Sequence, residues 1–220
     1  MEHRFLRHGE YSRPNQPPKM LFLASLAAFV TTCAFLSLRN GPNLGRDSLL
    51  MACGCVFGLR TAFMLLYLLP RQLGWLEAIG DSLVVWLVLY LLLVFWGDKN
   101  TPLGPLDAFA VILFIAGSAL TTGSELARKR WKKREENLGH LYTGGAFRFA
   151  QHINYFGEVV SFSGFAMLTR NWWAVSVPIF MLVSFVFVHI PALDRHLREH
   201  YSSEFVEYQR TTKKLVPFVY

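Results

Sequence analysis

Charge is scarce in this chain: Asp, Glu, Lys and Arg make up 17% of 220 residues, where soluble domains carry about 25%. A water-soluble core of this size has no need of several apolar runs of about 20 residues, which this chain contains, so a soluble globular class is excluded. Cysteine is nearly absent. Cys33, Cys53 and Cys55 show neither a CxxC nor a Cys/His spacing, so they offer no metal site. All three fall in apolar runs, where they are expected as buried, inert thiols. No G-x-x-x-x-G-K-[ST] and no G-x-G-x-x-G occurs, so a bound nucleotide must be held by helices and side chains. Ser161 and Ser163 lack the glycine-elbow context of a nucleophile. Seven histidines, two of them in the first ten residues, are too few for a membrane diiron centre. His196 and His200 in HLREH match H-x-x-E-H, but the short remaining tail offers no distant third ligand, and no metal is assigned. The start of the chain has no apolar stretch with a cleavage site, so the first span is expected to be retained.

Apolar runs dominate what is present: 53% of residues are hydrophobic. Six spans are expected, at 20–38, 49–69, 78–96, 105–123, 155–169 and 172–191. The fifth is short for a hydrocarbon core about 30 Å thick and is expected to be completed by helical residues before it. Residues 1–19, with Pro14, Pro17 and Pro18, read as a polar leader. Seventeen of the 22 Lys and Arg residues fall in the leader, the 71–77 loop, segment 124–154 and the tail after 192. The positive-inside rule then places both termini in the cytosol. The expected fold is an all-α, polytopic membrane bundle of about six helices. The net charge of +7 belongs to topology and an anionic cytosolic ligand, and nucleic acid is not a partner because the basic residues flank spans.

Residues 20–220 read as a single membrane domain whose part 124–220 carries nearly all the cytosolic polar chemistry. SELARKRWKKREEN, 124–137, is a basic helical continuation that either faces anionic headgroups or borders a phosphate-binding cavity. GGAFRFAQHINYFGE, 144–158, follows. With 148–158 as a helix at about 100° per residue, Arg148, Gln151, His152, Asn154, Tyr155 and Glu158 share one face that continues into the membrane. Ionisable groups at that depth line a bundle interior or a wet cavity. The face is either an internal ion pair, such as Arg148 with Glu158, or a ligand pocket. Within the second span, Arg60 and Tyr67 are seven residues apart and expected on one face. Arg60 is expected to pair with a carboxylate such as Asp81, Asp107 or Glu158.

LYTGGAFRFAQHINYFGE and the closing HYSSEFVEYQRTTKKLVPFVY resemble the C-terminal region of the steroid 5-alpha-reductase family, over about 142–220. Sterol reductases show a similar ending. The resemblance implies a membrane-embedded, NADPH-dependent reduction of a carbon–carbon double bond in a lipid: a steroid, sterol, polyprenoid or enoyl lipid. It places Asn154, Tyr155 and Glu158 on the family's cofactor-side run, Tyr201 and Tyr208 on its C-terminal tyrosines, and Arg210, Lys213 and Lys214 on its basic stretch. Arg148 and His152 join them as expected cofactor-binding residues. The Glu and Tyr that hold a steroid ketone in that family have no aligned counterpart in the early spans, and no catalytic residue is assigned. The membrane would be the endoplasmic reticulum or a bacterial cytoplasmic one. Two other classes remain open. Isoprenylcysteine and phospholipid methyltransferases share this kind of C-terminal half, but Ile153 stands where their proline would, and Asp194-Arg195 replaces their paired glutamates. A non-catalytic membrane scaffold would keep the helices and lose the polar residues.

Overall fold

The computed structural model describes residues 16–39, 44–69, 73–92 and 101–220, and no strand occurs among them. The expected leader up to residue 15 and the end of the third expected span beyond residue 92 lie outside the described residues. Seven helices follow in order: α1 Gln16–Arg39, α2 Leu44–Phe63 prolonged by a π turn Met64–Leu68, α3 Trp75–Tyr90, α4 Pro105–Lys132, α5 Ile153–Leu168, α6 Ser176–Ser184 and α7 Ile190–Thr211. A second π turn, Phe185–His189, joins α6 to α7, and a 3-10 turn Trp172–Val175 precedes α6. Among the described residues, four stretches are long and apolar enough to cross a membrane: Pro17–Phe35, Gly45–Leu68, Pro105–Lys132 and Trp172–Thr211. The last has 40 residues, about twice the roughly 20 a span needs. Only its apolar half, to about residue 191, is needed to span; the remainder is charged. The chain is a polytopic membrane helix bundle.

The contacts divide the chain into two compact units, the described residues of Met1–Val111 with Phe165–Val175, and Ile112–Gly164 with Ser176–Tyr220. In the first, α1 packs on α2 and α3. Pro17 and Pro18 occupy the first turn of α1, where a missing N–H costs nothing, so the helix starts earlier than hydropathy indicates. Lys19, counted with the polar leader, is 1% exposed. Its Nζ donates to Leu65 O at 3.2 Å and Leu69 O at 2.8 Å, closing the π turn. That turn also corrects an expectation. Arg60 is buried beneath Phe57, whereas Tyr67 is exposed and stacks on Phe63 at 5.2 Å. The wider π turn rotates Tyr67 off the face that 3.6-residue periodicity assigns it. Cys33 and Cys53 are buried, but Cys55 is exposed, because two residues turn about 200° around a helix.

Asp107, 2% exposed on the first turn of α4, gathers the polar groups of this unit. Its carboxylate accepts from Arg170 at 3.0 and 2.9 Å, from Arg46 at 3.3 and 3.2 Å, and from the Gly104 amide at 2.8 Å. Arg46 donates further to the Thr101 and Pro102 carbonyls, at 2.6 and 3.3 Å. Both carboxylate oxygens thus face Arg46 and Arg170, the pairing that low-dielectric surroundings demand of a buried charge.

The second unit rests on a close crossing of α4 and α5. A Cβ on Gly117 would lie 2.3 Å from the Ser161 nitrogen, and one on Gly157 would lie 2.9 Å from the Gly117 oxygen. Small residues let backbones approach in this way, and polar side chains then bond across the seam. Ser118 and Ser161 hydroxyls meet at 3.0 Å, and Thr121 Oγ1 donates to Asn154 O at 2.9 Å. The helix expected over 148–158 does not form. Gly145–Arg148 is a 3-10 turn and α5 begins only at Ile153. The amides of Gln151 and His152 instead donate to Lys213 O at 2.8 Å and Lys214 O at 2.9 Å, and Gln151 Nε2 donates to Thr212 O at 2.5 Å. These bonds to the tail take the N–H groups that a helix through 148–152 would have used. With 16 residues, α5 rises about 24 Å and gains no helical extension before it.

Candidate functional site

The α4–α5 crossing builds the first part of the site. Thr121, Glu125 and Arg128 follow Gly117 at helical spacing, so the seam that brings Gly117 against α5 carries them over the start of that helix. Glu125, 8% exposed, accepts the Asn154 Nδ2–H at 2.8 Å on one oxygen. Its other oxygen accepts from Arg128 Nη2 at 2.5 Å. Arg128 lies 5.6 Å from the Phe147 ring centre, within cation–π range. The Trp131 and Tyr142 rings pack on each other at 5.3 Å, and Tyr142 meets Phe147 edge-on at 5.7 Å. Glu158 sits one turn beyond Asn154, half-buried.

The second part joins the start of α5 to the final helix. His152, 1% exposed, places Nε2 at 2.7 Å from Asp194 Oδ1. Lys214 Nζ lies 3.4 Å from Asp194 Oδ2. Tyr155 stacks between His152, at 5.7 Å and 11°, and Phe185, at 4.5 Å and 6°, with His189 edge-on at 6.4 Å. The π turn positions the last two rings. Pro191 cannot donate to residue 187, and the Ile190 amide bonds back to Phe185 O in the wider i→i−5 pattern. Asp194 also borders an open cleft of about 420 Å3 with Pro191, Arg195, Arg198 and Glu199.

The tail closes the unit. Ser202 has φ 41° and ψ −108°, a sharp break inside α7. Arg198 bonds Gln209 at 2.8 Å, although eleven residues of straight helix would separate them by about 16 Å. Tyr201, Phe205 and Tyr208 pack together beneath this bend, with Leu141 and Leu197. Tyr208 donates to Phe147 O at 2.6 Å, and burial pushes its phenol above the usual range. Lys132 Nζ donates to the Tyr201 hydroxyl at 2.5 Å. Glu204 accepts from the Leu141 amide at 2.8 Å and faces His140 Nδ1 at 2.7 Å. Those bonds hold its carboxyl below the usual range, the amide first.

Of the expected site residues, His152, Tyr155 and Lys214 gather around Asp194, and Asn154 meets Glu125. Tyr201 and Tyr208 pack in one cluster. Arg148, Arg210 and Lys213 are exposed. Arg148 lies against Phe149 at 5.4 Å, and Arg210 donates to Glu207 at 3.0 Å. Glu125, Arg128, Lys132 and Asp194 were not among the expected residues. The first three lie in the basic segment 124–137, whose two expected roles are to face anionic headgroups or to border a phosphate-binding cavity. The signal that could have found them is the small-polar ladder Gly117, Thr121, Glu125, which marks a buried seam rather than a solvated face. The site's chemistry is therefore a set of oriented amide, imidazole and phenol groups beside the Glu125–Arg128 and Asp194–Lys214 salt bridges. Arg128 and Lys214 keep 40% and 38% of their side chains exposed, able to meet an anion. The polar donors and acceptors fit a dinucleotide: amides and carboxylates for ribose or carboxamide, cations for phosphate. Gln151 adds a buried Oε1 with no hydrogen-bond partner among the described residues.

Half of the chain is similar to known proteins. The chain is 27% identical over 113 residues to 3-oxo-5-alpha-steroid 4-dehydrogenase 2 of Rattus norvegicus, covering 51% of this chain and 42% of that protein. The Homo sapiens protein of that name is 26% identical over the same shares. 3-Oxo-5-alpha-steroid 4-dehydrogenase 1 of Mus musculus is 28% identical over 107 residues, 49% of this chain and 40% of that protein. The match thus spans about two-fifths of the length of these relatives. Residues 76–212 match the family described as a protein of unknown function, DUF1295, and the chain belongs to that family.

Proposed function

We propose that the protein is a membrane-embedded, NADPH-dependent reductase of a carbon–carbon double bond in a lipid. The observation that carries this reading is Asn154. Its backbone is held by Thr121 and its side chain by Glu125, at the position the steroid-reductase motif assigns to the cofactor side. The 3-oxo-5-alpha-steroid 4-dehydrogenases, whose names state a reaction at a steroid ring bond, are its relatives. A steroid, sterol, polyprenoid or enoyl lipid is the matching substrate class, since an apolar bundle admits such molecules from the bilayer.

Asn154, Glu158 and Tyr155 would bind the nicotinamide half of the cofactor, and Arg128 and Lys214 would neutralise its phosphates. When bound, NADPH supplies a hydride, and reduction of an alkene takes up one proton besides. Tyr155, held flat between His152 and Phe185, offers a stacking surface and a fixed phenol. Asp194 fixes the tilt of the His152 ring, and through it the stack. The positive-inside rule puts this whole assembly at the cytosolic face, where the soluble cofactor is found.

The test is titration of the purified protein in detergent with NADPH and, separately, with S-adenosylmethionine. Saturable NADPH binding, lost in Asn154→Ala and Glu158→Ala variants that remain monodisperse, is the expected result. Unchanged affinity in both variants would rule out the clamp. Binding of S-adenosylmethionine alone would move the chain to the methyltransferases, and binding of neither would make it a scaffold.

A further inference from the structure

Resting on the cofactor reading, we infer that Glu125 is a positioning residue that fixes the Asn154 amide so that its oxygen reads the carboxamide N–H of the nicotinamide. An asparagine amide has one acceptor oxygen and two N–H donors, and the two ends look alike in shape. Here chemistry decides which end faces where. Glu125 is 8% exposed and accepts on both carboxylate oxygens. Its partner Arg128 offers only donors, so the carboxylate faces the guanidinium and Asn154 as an acceptor on either side. The Asn154 atom 2.8 Å from Glu125 Oε1 is therefore the nitrogen. Turning the amide over would bring its oxygen against the carboxylate, two acceptors with no proton between them.

The rest of Asn154 is equally constrained. Thr121 Oγ1 holds its carbonyl at 2.9 Å, and the Gly117–Gly157 approach holds the helix beneath it. Oδ1 consequently points away from Glu125 and has no hydrogen-bond partner among the described residues, on a residue that is half-buried. A fixed, partly desolvated acceptor selects a ligand that presents an N–H donor. A primary carboxamide meets that requirement. A methyl ketone of the same shape does not, and a carboxylate is repelled.

The experiment compares NADP+ with its 3-acetylpyridine analogue, which replaces the carboxamide by a methyl ketone. Dissociation constants are measured on the full-length protein in detergent for wild type, Glu125→Gln and Arg128→Gln. Wild type is expected to favour NADP+ by about tenfold, the worth of one hydrogen bond. Glu125→Gln is isosteric but can accept or donate, so Asn154 is free to turn over and the preference falls towards unity. Arg128→Gln, at a side chain 40% exposed, weakens both ligands through lost charge and reduces the ratio only by loosening Glu125. A merely structural Glu125 would weaken both ligands alike and leave the ratio untouched. An equal affinity for the two compounds in wild type overturns the inference, as does a preserved ratio in Glu125→Gln. If that variant does not fold, a ratio unchanged in Arg128→Gln overturns it. Failure of wild type to bind either compound is a different result, which removes the cofactor reading itself.

Discussion

Replacing Gly117 by alanine tests the contact on which the site is built. The new Cβ would sit 2.3 Å from the Ser161 nitrogen, 2.5 Å from the Gly157 oxygen and 2.8 Å from the Ser161 Cα. All three are backbone atoms, so no rotamer change relieves the overlap. Ordinary contact needs about 3.5 Å, and the helices must part by roughly 1 Å. Overpacking of this kind costs about 1–3 kcal/mol. Separation also stretches the Thr121–Asn154 and Ser118–Ser161 bonds, now at 2.9 and 3.0 Å, worth about 1 kcal/mol each. A total of about 4 kcal/mol lowers the melting midpoint of a chain this size by on the order of 10 °C. The matched control is Gly123→Ala. Nothing lies within 4 Å of its Cβ position, and alanine is favoured over glycine in a helix interior by about 1 kcal/mol. Tryptophan fluorescence on heating in one detergent gives both midpoints. Gly117→Ala melting at or above Gly123→Ala would refute the close crossing, and with it the placement of Thr121 and Glu125 over Asn154.

Two further outcomes are expected. Asp107→Ala leaves Arg46, 1% exposed, without the carboxylate it shares with Arg170, and should destabilise the protein by about 3–5 kcal/mol. A midpoint within a degree or two of wild type would show that water or lipid compensates the two guanidinium groups. Glu204 has its carboxyl held below the ordinary 4.5, so it binds fewer protons folded than unfolded. Its stabilising contribution is complete above that unfolded value and is lost as pH falls through the lower folded one. Glu204→Gln should therefore flatten the acid limb of the midpoint-versus-pH curve while remaining folded near neutrality. An acid limb identical to wild type would exclude Glu204 as one of its sources.

Periodicity and hydropathy carry most of the bundle. Apolar runs long enough to span, bounded by basic segments, leave no alternative to transmembrane helices, since backbone N–H and C=O groups in lipid must be satisfied internally. The polar residues at 152–158 were legible for the same reason: they are too costly in an apolar run to be incidental. The 3.6-residue rule failed wherever the backbone left the α-helix. It put Tyr67 on the face of Arg60, where a π turn intervenes, and it ran a helix through 148–152, where Lys213 and Lys214 carbonyls take the amides.

What the tertiary structure alone decided is which charge meets which. Glu125 and Asn154 are 29 residues apart, His152 and Asp194 are 42, and Arg46 and Asp107 are 61. Local pattern states only that such groups need partners. It cannot name them, because a buried charge is satisfied by whichever counter-group the helix crossings bring within hydrogen-bond reach. Those crossings depend on small residues, such as Gly117 and Gly157; a small-polar ladder marks one side of such a seam, but only the packed helices show which residues it meets.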